Sequence, residues 1–311
     1  MADFVSHHLF GEQARAVFPA SVQQLTERRA ACFFWGCQGP DLLFYRRVLL
    51  GSPLHHLGNR MHSEKTDALF SALARGVRDL TGTAQEIAAA FFYGFLCHYA
   101  LDSTIHPFVY CRQEQVRAAN AQLSASAVHS QIENDIDCLM YARLRGAPAT
   151  EFDPIAHYSL DTEEKAVLSV LLHAVLRAVY GENVPPRDLR RAMEEMLRWE
   201  RFFFRPNPQL YRTARRAEQT AGRGALLTGH MKTEPPAWDA LNLERAPWRS
   251  LWEPGTVRTD TVPELFEQAR LCVASLAGQY AAQMHSGCLL CRHFDVPFDN
   301  GNPKRIAGQT E

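Results

Sequence analysis

TAQEIAAAFFYGFLCHYALDSTIHP, residues 83–107, is the stretch on which the fold turns. Thr83 is followed three residues later by Glu86 in a cap-like arrangement, and the run beyond is apolar on nearly every side until it reaches Pro107. A helix that is apolar all round belongs in the interior, so the pattern predicts a central helix over 83–106 with the other elements packed around it. His98 and Asp102 interrupt that apolar surface four residues apart and share a face, with His106 one turn further along. A carboxylate buried without a partner is costly, and a dication would compensate it directly.

Working outward, the same chemistry recurs. His129 and Glu133 in HSQIE repeat the i, i+4 spacing, His62 sits in NRMHSEKT, and Asp41 follows Gly39-Pro40 in GCQGPDLLFY. Taken alone, each His reads more simply as a hydrogen-bonded core residue, whereas for Asp41 a plain turn residue is the lesser alternative. Together they favour a closed His/carboxylate cluster for borderline metal ions, zinc first among them. Ferritin-like di-iron sites need Glu-x-x-His pairs and metalloproteases need His-Glu-x-x-His, and neither pattern is present. His285, Cys288, Cys291 and His293 form a lone C-x-x-C with flanking His, which reads as helix packing followed by a loop rather than a second site.

The chain has 311 residues, enough for one large domain or two ordinary ones, and its 46% apolar content fits a folded globular protein. A formal net charge of -1 provides no overall basic field for nucleic acid, and no stable nucleic-acid partner is expected. MADFVSHHLFGEQ does not read as a signal peptide, and no apolar run is long enough for a transmembrane segment. A cytoplasmic protein is therefore expected, with its 8 cysteines reduced.

Helical periodicity dominates and period-two alternation is scarce, so the fold class is all-α. Helices are expected near 3–16, 20–34, 62–77, 83–106, 123–145, 162–180, 186–204 and 261–286. The Pro- and Trp-containing stretch 204–260 reads as an irregular packed cover. Without internal repeats or a shift in composition, one domain over 1–294 is the economical reading, with 295–311 as a disordered tail.

MADFVSHHLFGE, GPDLLFY, MHSEKT, YGFLCHYALDSTIHP and HSQIENDID resemble the bacterial zinc-dependent phospholipase C family, in its intracellular branch without a signal peptide. The likeness covers roughly residues 1–145, and LNLERAPW extends it weakly. It implies a single multi-helix domain of the type shared with the single-strand-specific zinc nucleases, holding two to three zinc ions. Carried across, His62, His98 and Asp102 hold one ion, and His106, His129 and Glu133 a second. His7 and Asp41 take a third, with Asp102 bridging. His7 is preferred to His8 by its place before LFG. Two departures stand out. Secreted members complete the third site with a processed terminal Trp, where this chain has Met1-Ala2-Asp3, and the step from Asp102 to His106 is two residues shorter than theirs.

The resemblance implies a phosphodiester hydrolase in which a metal-activated water attacks phosphorus, with Asp41 and Asp102 as catalytic carboxylates. Its substrate would be a phosphodiester, with phospholipid the family's example. Two other functions remain open. A zinc nuclease or nucleotidase would want aromatic platforms, for which Phe91 and Phe92 are candidates, and a basic groove such as RDLRR at 187–191. A non-catalytic binding protein could retain the metals for stability alone.

Overall fold

The computed structural model describes residues 4–48, 50–204, 207–222, 227–232, 236, 238–286, 294 and 296–303, with 284–286 by backbone alone. Its helices are α1 (Phe4–Arg15), α2 (Ala20–Arg28), α3 (Ala30–Cys37), α4 (Pro53–Ser63), α5 (Thr66–Arg78), α6 (Gly82–Ala119), α7 (Ala125–Arg145), α8 (Pro154–Tyr158), α9 (Thr162–Tyr180), α10 (Pro186–Phe204), α11 (Pro208–Thr220) and α12 (Val262–Ser286). A 3₁₀ segment, Gly39–Tyr45, links α3 towards α4. Among the described residues there is no β-strand, and the antiparallel pairing of Trp248 with Arg258 is an isolated bridge. The all-α expectation holds.

The 38-residue helix α6 is the axle of the fold, with α1, α3, α5, α7, α9 and α12 all packed against it. Helix α3, AACFFWGC, is apolar throughout and buries Phe33, Phe34 and Trp35. It comes so close to α6 that a Cβ on Gly36 would lie 2.0 Å from the Phe91 carbonyl oxygen, and one on Gly94 would lie 2.0 Å from that of Phe33. Only paired glycines allow two helix backbones this near, and Phe33, Phe91 and Phe95 of the same two helices are wholly buried.

Pro107 does not end the helix. A proline inside a helix leaves the carbonyl four residues earlier without its N–H donor, and that group here is Ser103 O. Asn300 Nδ2 donates to it at 2.9 Å, and Gly301, at φ +85°, passes directly over Pro107. Residues 296–303 are thus a strap, where the sequence reading placed a tail. Phe298 is wholly buried, Tyr99 Oη donates to Val296 O at 3.0 Å, and Trp252 Nε1 donates to Asn302 O at 3.0 Å. Residues 304–311 lie outside the described residues.

Other boundaries differ for local reasons. The helix expected over 62–77 is two helices, because Glu64 is extended and Lys65 is left-handed at φ +59°. The one expected over 20–34 breaks at Arg29, which leaves the helical region. The irregular cover contains α11, whose first turn is capped by the Asn207 side chain, and beyond it Trp248 is buried with its indole N–H on Asp260 O.

The α3–α6 contact makes a direct prediction. Gly94→Ala must push two helix backbones apart, and it is expected to lower unfolding free energy in urea by roughly 1–3 kcal/mol. An unchanged urea midpoint would show that this approach does not constrain the fold.

Candidate metal centre

Asp102 lies at the middle of α6, 1% exposed, and imidazoles reach it from α1 and α4 as well as from its own helix. His98, one turn earlier, places Nε2 at 3.1 Å from Asp102 Oδ2, and His62 at the end of α4 places Nε2 at 3.6 Å from the same oxygen. On the other oxygen, Oδ1, His7 Nε2 of α1 lies at 3.2 Å and His106 Nε2 at 3.9 Å. The carboxylate therefore faces two different sets of imidazoles with its two oxygens. His106 Nε2 is also 3.3 Å from Glu133 Oε1, which His129 approaches at 3.0 Å from its own helix α7. Asp41, in the 3₁₀ segment, places Oδ1 3.1 Å from His62 Nε2.

The hydrogen bonds on the far side of each ring fix what these contacts mean. His62 Nδ1 donates to Gly58 O at 2.8 Å, His98 Nδ1 to Cys37 O at 3.0 Å, His106 Nδ1 to Phe298 O at 2.6 Å and His129 Nδ1 to Gln113 Oε1 at 3.0 Å. Carbonyl oxygens only accept, so the proton of each neutral ring sits on Nδ1 and Nε2 turns a lone pair inward. Lone pairs then confront carboxylate oxygens among buried side chains. Consistently, both oxygens of Asp41, Oδ2 of Asp102 and Oε2 of Glu133 are buried without a hydrogen-bond donor. The cluster asks for positive charge. Without it, the nearby imidazoles hold the carboxyls of Asp102 and Glu133 down against a burial penalty that would raise them, and the two carboxylates push His106 up to about 9 although burial opposes this.

Metal ions suit this donor set. One donor atom each from His62, His98 and Asp102 lie within 4.8 Å of one another, as do those of His106, His129 and Glu133, and those of His7, Asp41 and His98. Tetrahedral zinc with bonds near 2 Å separates its ligand atoms by about 3.3 Å, the range these contacts occupy. Acceptors that hold each imidazole at Nδ1 are also the usual outer shell of a zinc site.

All the residues singled out from the sequence, His7, Asp41, His62, His98, Asp102, His106, His129 and Glu133, thus come together in one buried region. The first two triplets are the same sets expected from the resemblance. In the third, His98 joins His7 and Asp41, where Asp102 had been expected. The short Asp102-to-His106 step is accommodated because α6 stays helical through Pro107. His8 turns away, stacked on Phe34 at 4.1 Å with its Nδ1 3.3 Å from the Tyr158 hydroxyl. Asp3 and the His285–His293 grouping fall outside the described residues or side chains.

Sequence reasoning missed the groups that hold the ligands. Gln113 was legible in principle, as a polar residue two turns beyond His106, but only once the helix is read past Pro107. The Phe298 carbonyl has no side-chain signature at all. The 3₁₀ segment that carries Asp41 is supported by α10: Arg46 Nη1, just after the segment, meets Glu195 at 2.7 Å, and the Tyr45 hydroxyl donates to the buried carboxyl of Glu200.

The sequence profile for zinc-dependent phospholipase C matches residues 6–179. No curated protein and no solved structure matches.

Glu200 supplies a pH test of this support. Burial, aided by Asp137 and Asp41 and opposed by Lys232 and Tyr45, pushes its carboxyl up to about 7 from 4.5. The folded chain then keeps a proton that the unfolded chain loses, so this contribution to stability is complete below about pH 4.5 and is lost as pH rises through about 7. Glu200→Gln should gain on the order of 3 kcal/mol relative to wild type between pH 4.5 and 7.5, measured by urea unfolding. A pH-independent difference would contradict the assignment.

Proposed function

Because the chain belongs to the zinc-dependent phospholipase C family, we propose that it is a zinc-dependent phosphodiester hydrolase acting in the manner of a phospholipase C. The observation that carries this reading is the inward convergence of Nε2 lone pairs and unpartnered carboxylate oxygens around Asp102. His62, His98 and Asp102 would hold one ion, His106, His129 and Glu133 another, and His7 with Asp41 a third, completed by His98 or Asp102. Bound there, zinc would supply Lewis-acid polarisation of phosphoryl oxygens and bring the pKa of a water toward neutrality.

The protein's own groups do the rest. Asp102, with one oxygen toward His62 and His98 and the other toward His7 and His106, fixes the spacing of the donor sets. Asp41 Oδ2 has no donor, and His98 and His62 hold its carboxyl below the usual range despite burial, so it is ionised at neutral pH and is our assignment for the acceptor of the attacking water's proton. Hydroxide adds to phosphorus as the alkoxide leaves, which yields an alcohol and a phosphomonoester.

A phospholipid or related diester is favoured over nucleic acid. Phe91 and Phe92 are 0% and 2% exposed in the α6 core and offer no platform for bases. Within the basic run at 187–191, Arg190 donates to Ser169 and Arg191 lies 3.7 Å from Asp188, as on an ordinary helix face.

Protein purified without chelators should carry zinc and hydrolyse a chromogenic phosphocholine ester or a lipid dispersion in preference to single-stranded DNA. Asp102→Asn and His129→Ala should lose metal and activity together, by more than the roughly 10–100-fold that loss of an outer-shell partner costs. Absence of bound transition metal would refute the proposal, and cleavage of DNA but not the choline ester would move it to a nuclease.

A further inference from the structure

Of the imidazoles around Asp102, His7 alone has no acceptor at Nδ1 among the described residues, and that buried atom is without a hydrogen-bond partner. Its ring is stacked on His98 at 4.1 Å and 17°, an arrangement that fixes its plane but not its height along α1. What fixes the height lies just before it, at the two preceding residues. Asp137, wholly buried on α7, accepts from Val5 N at 2.9 Å with Oδ2 and from Ser6 N at 2.6 Å with Oδ1. First-turn amides of a helix have no partner within it and carry the positive end of its dipole, so a carboxylate from another helix caps α1 by both hydrogen bonding and charge.

A second observation shows that this contact is built rather than incidental. Lys232, 1% exposed, places Nζ 2.9 Å from Asp137 Oδ2 and 2.8 Å from Asn134 Oδ1, with the face of Phe204 at 5.6 Å. A buried carboxylate with two amides and an ammonium is fully compensated, whereas one lacking them would be expensive. Asp137 also lies four residues beyond Glu133 and eight beyond His129, on the same face of α7. One side chain therefore ties the helix that carries His7 to the helix that carries a different donor set.

We propose that Asp137 is a positioning residue for the metal centre: its grip on the Val5 and Ser6 amides sets His7 in register with Asp41 and His98, and the ion pair with Lys232 anchors the carboxylate for that task. The proposal rests on the zinc reading above. It makes the cross-helix cap a substitute for the acceptor that the other imidazoles have at Nδ1.

Zinc content and affinity, read by chelator competition on wild type, His7→Ala, Asp137→Asn and the double variant, test it without an activity assay. Asp137→Asn should weaken the same class of zinc as His7→Ala, by at least about 10-fold, with no further loss in the double variant. Zinc whose retention depends on Glu133, identified with Glu133→Ala, should stay. Wild-type affinity in Asp137→Asn, or a loss that adds in full to that of His7→Ala, would overturn the proposal. Wild type devoid of zinc would instead overturn the metal reading itself. Should Asp137→Asn fail to fold, hydrogen exchange in the wild type decides the matter. By reciprocity, zinc must slow exchange at the Val5 and Ser6 amides, and equal rates with and without zinc would refute the coupling.

Discussion

A carboxylate placed where water cannot reach it is the constraint on which this structure depends. Asp102 sits 1% exposed at the middle of the longest of the described helices, and its charge is shielded from bulk solvent there. The chain answers by bringing α1, α4 and the 3₁₀ segment to the same point on α6, each with one donor, while α7 brings two more residues alongside His106. The Gly36–Gly94 approach belongs to the same economy. It draws α3 hard against α6, so that the Cys37 carbonyl at the end of α3 reaches His98 Nδ1.

The outer ring of acceptors is what distinguishes this cluster from a chance crowd of polar residues. Backbone carbonyls of Gly58, Cys37 and Phe298 and the amide oxygen of Gln113 each take one imidazole proton, and so choose which nitrogen looks inward. One of those acceptors, Phe298, comes from a segment with little regular structure of its own. The strap at 296–303 serves twice, since Asn300 replaces the bond that Pro107 removes from α6 and Phe298 orients the ring just before that proline. Helix continuity and ligand orientation at His106 are in this sense one structural event.

This division explains what could be read from the sequence. The central helix, the all-α class and the ligand residues were legible because each leaves a mark in residue type and period: His and carboxylate groups four apart in an apolar run. The neighbours that hold them were not. A carbonyl oxygen has no residue signature, and the strap's composition, VPFDNGNP, resembles any polar terminus. Pro107 is an ordinary stop signal whose reversal depends on Asn300, nearly two hundred residues later. Asp137 stands in plain view in HSQIENDID, yet nothing local says that its partners are amides of α1. The choice of His7 over His8 came from the resemblance, and the structure shows its physical basis: consecutive helical residues point about 100° apart, so only one of the two can face Asp102 while the other enters the Phe34–Tyr158 cluster.

The central claim is that the inward lone pairs around Asp102 exist to hold zinc. Anomalous diffraction across the zinc absorption edge, from crystals of protein purified without chelators, tests it most directly. The account predicts anomalous peaks within bonding distance of His62, His98 and Asp102 and of His106, His129 and Glu133. A well-ordered map with no edge-dependent signal there, and water or protons bridging the same atoms, would contradict it.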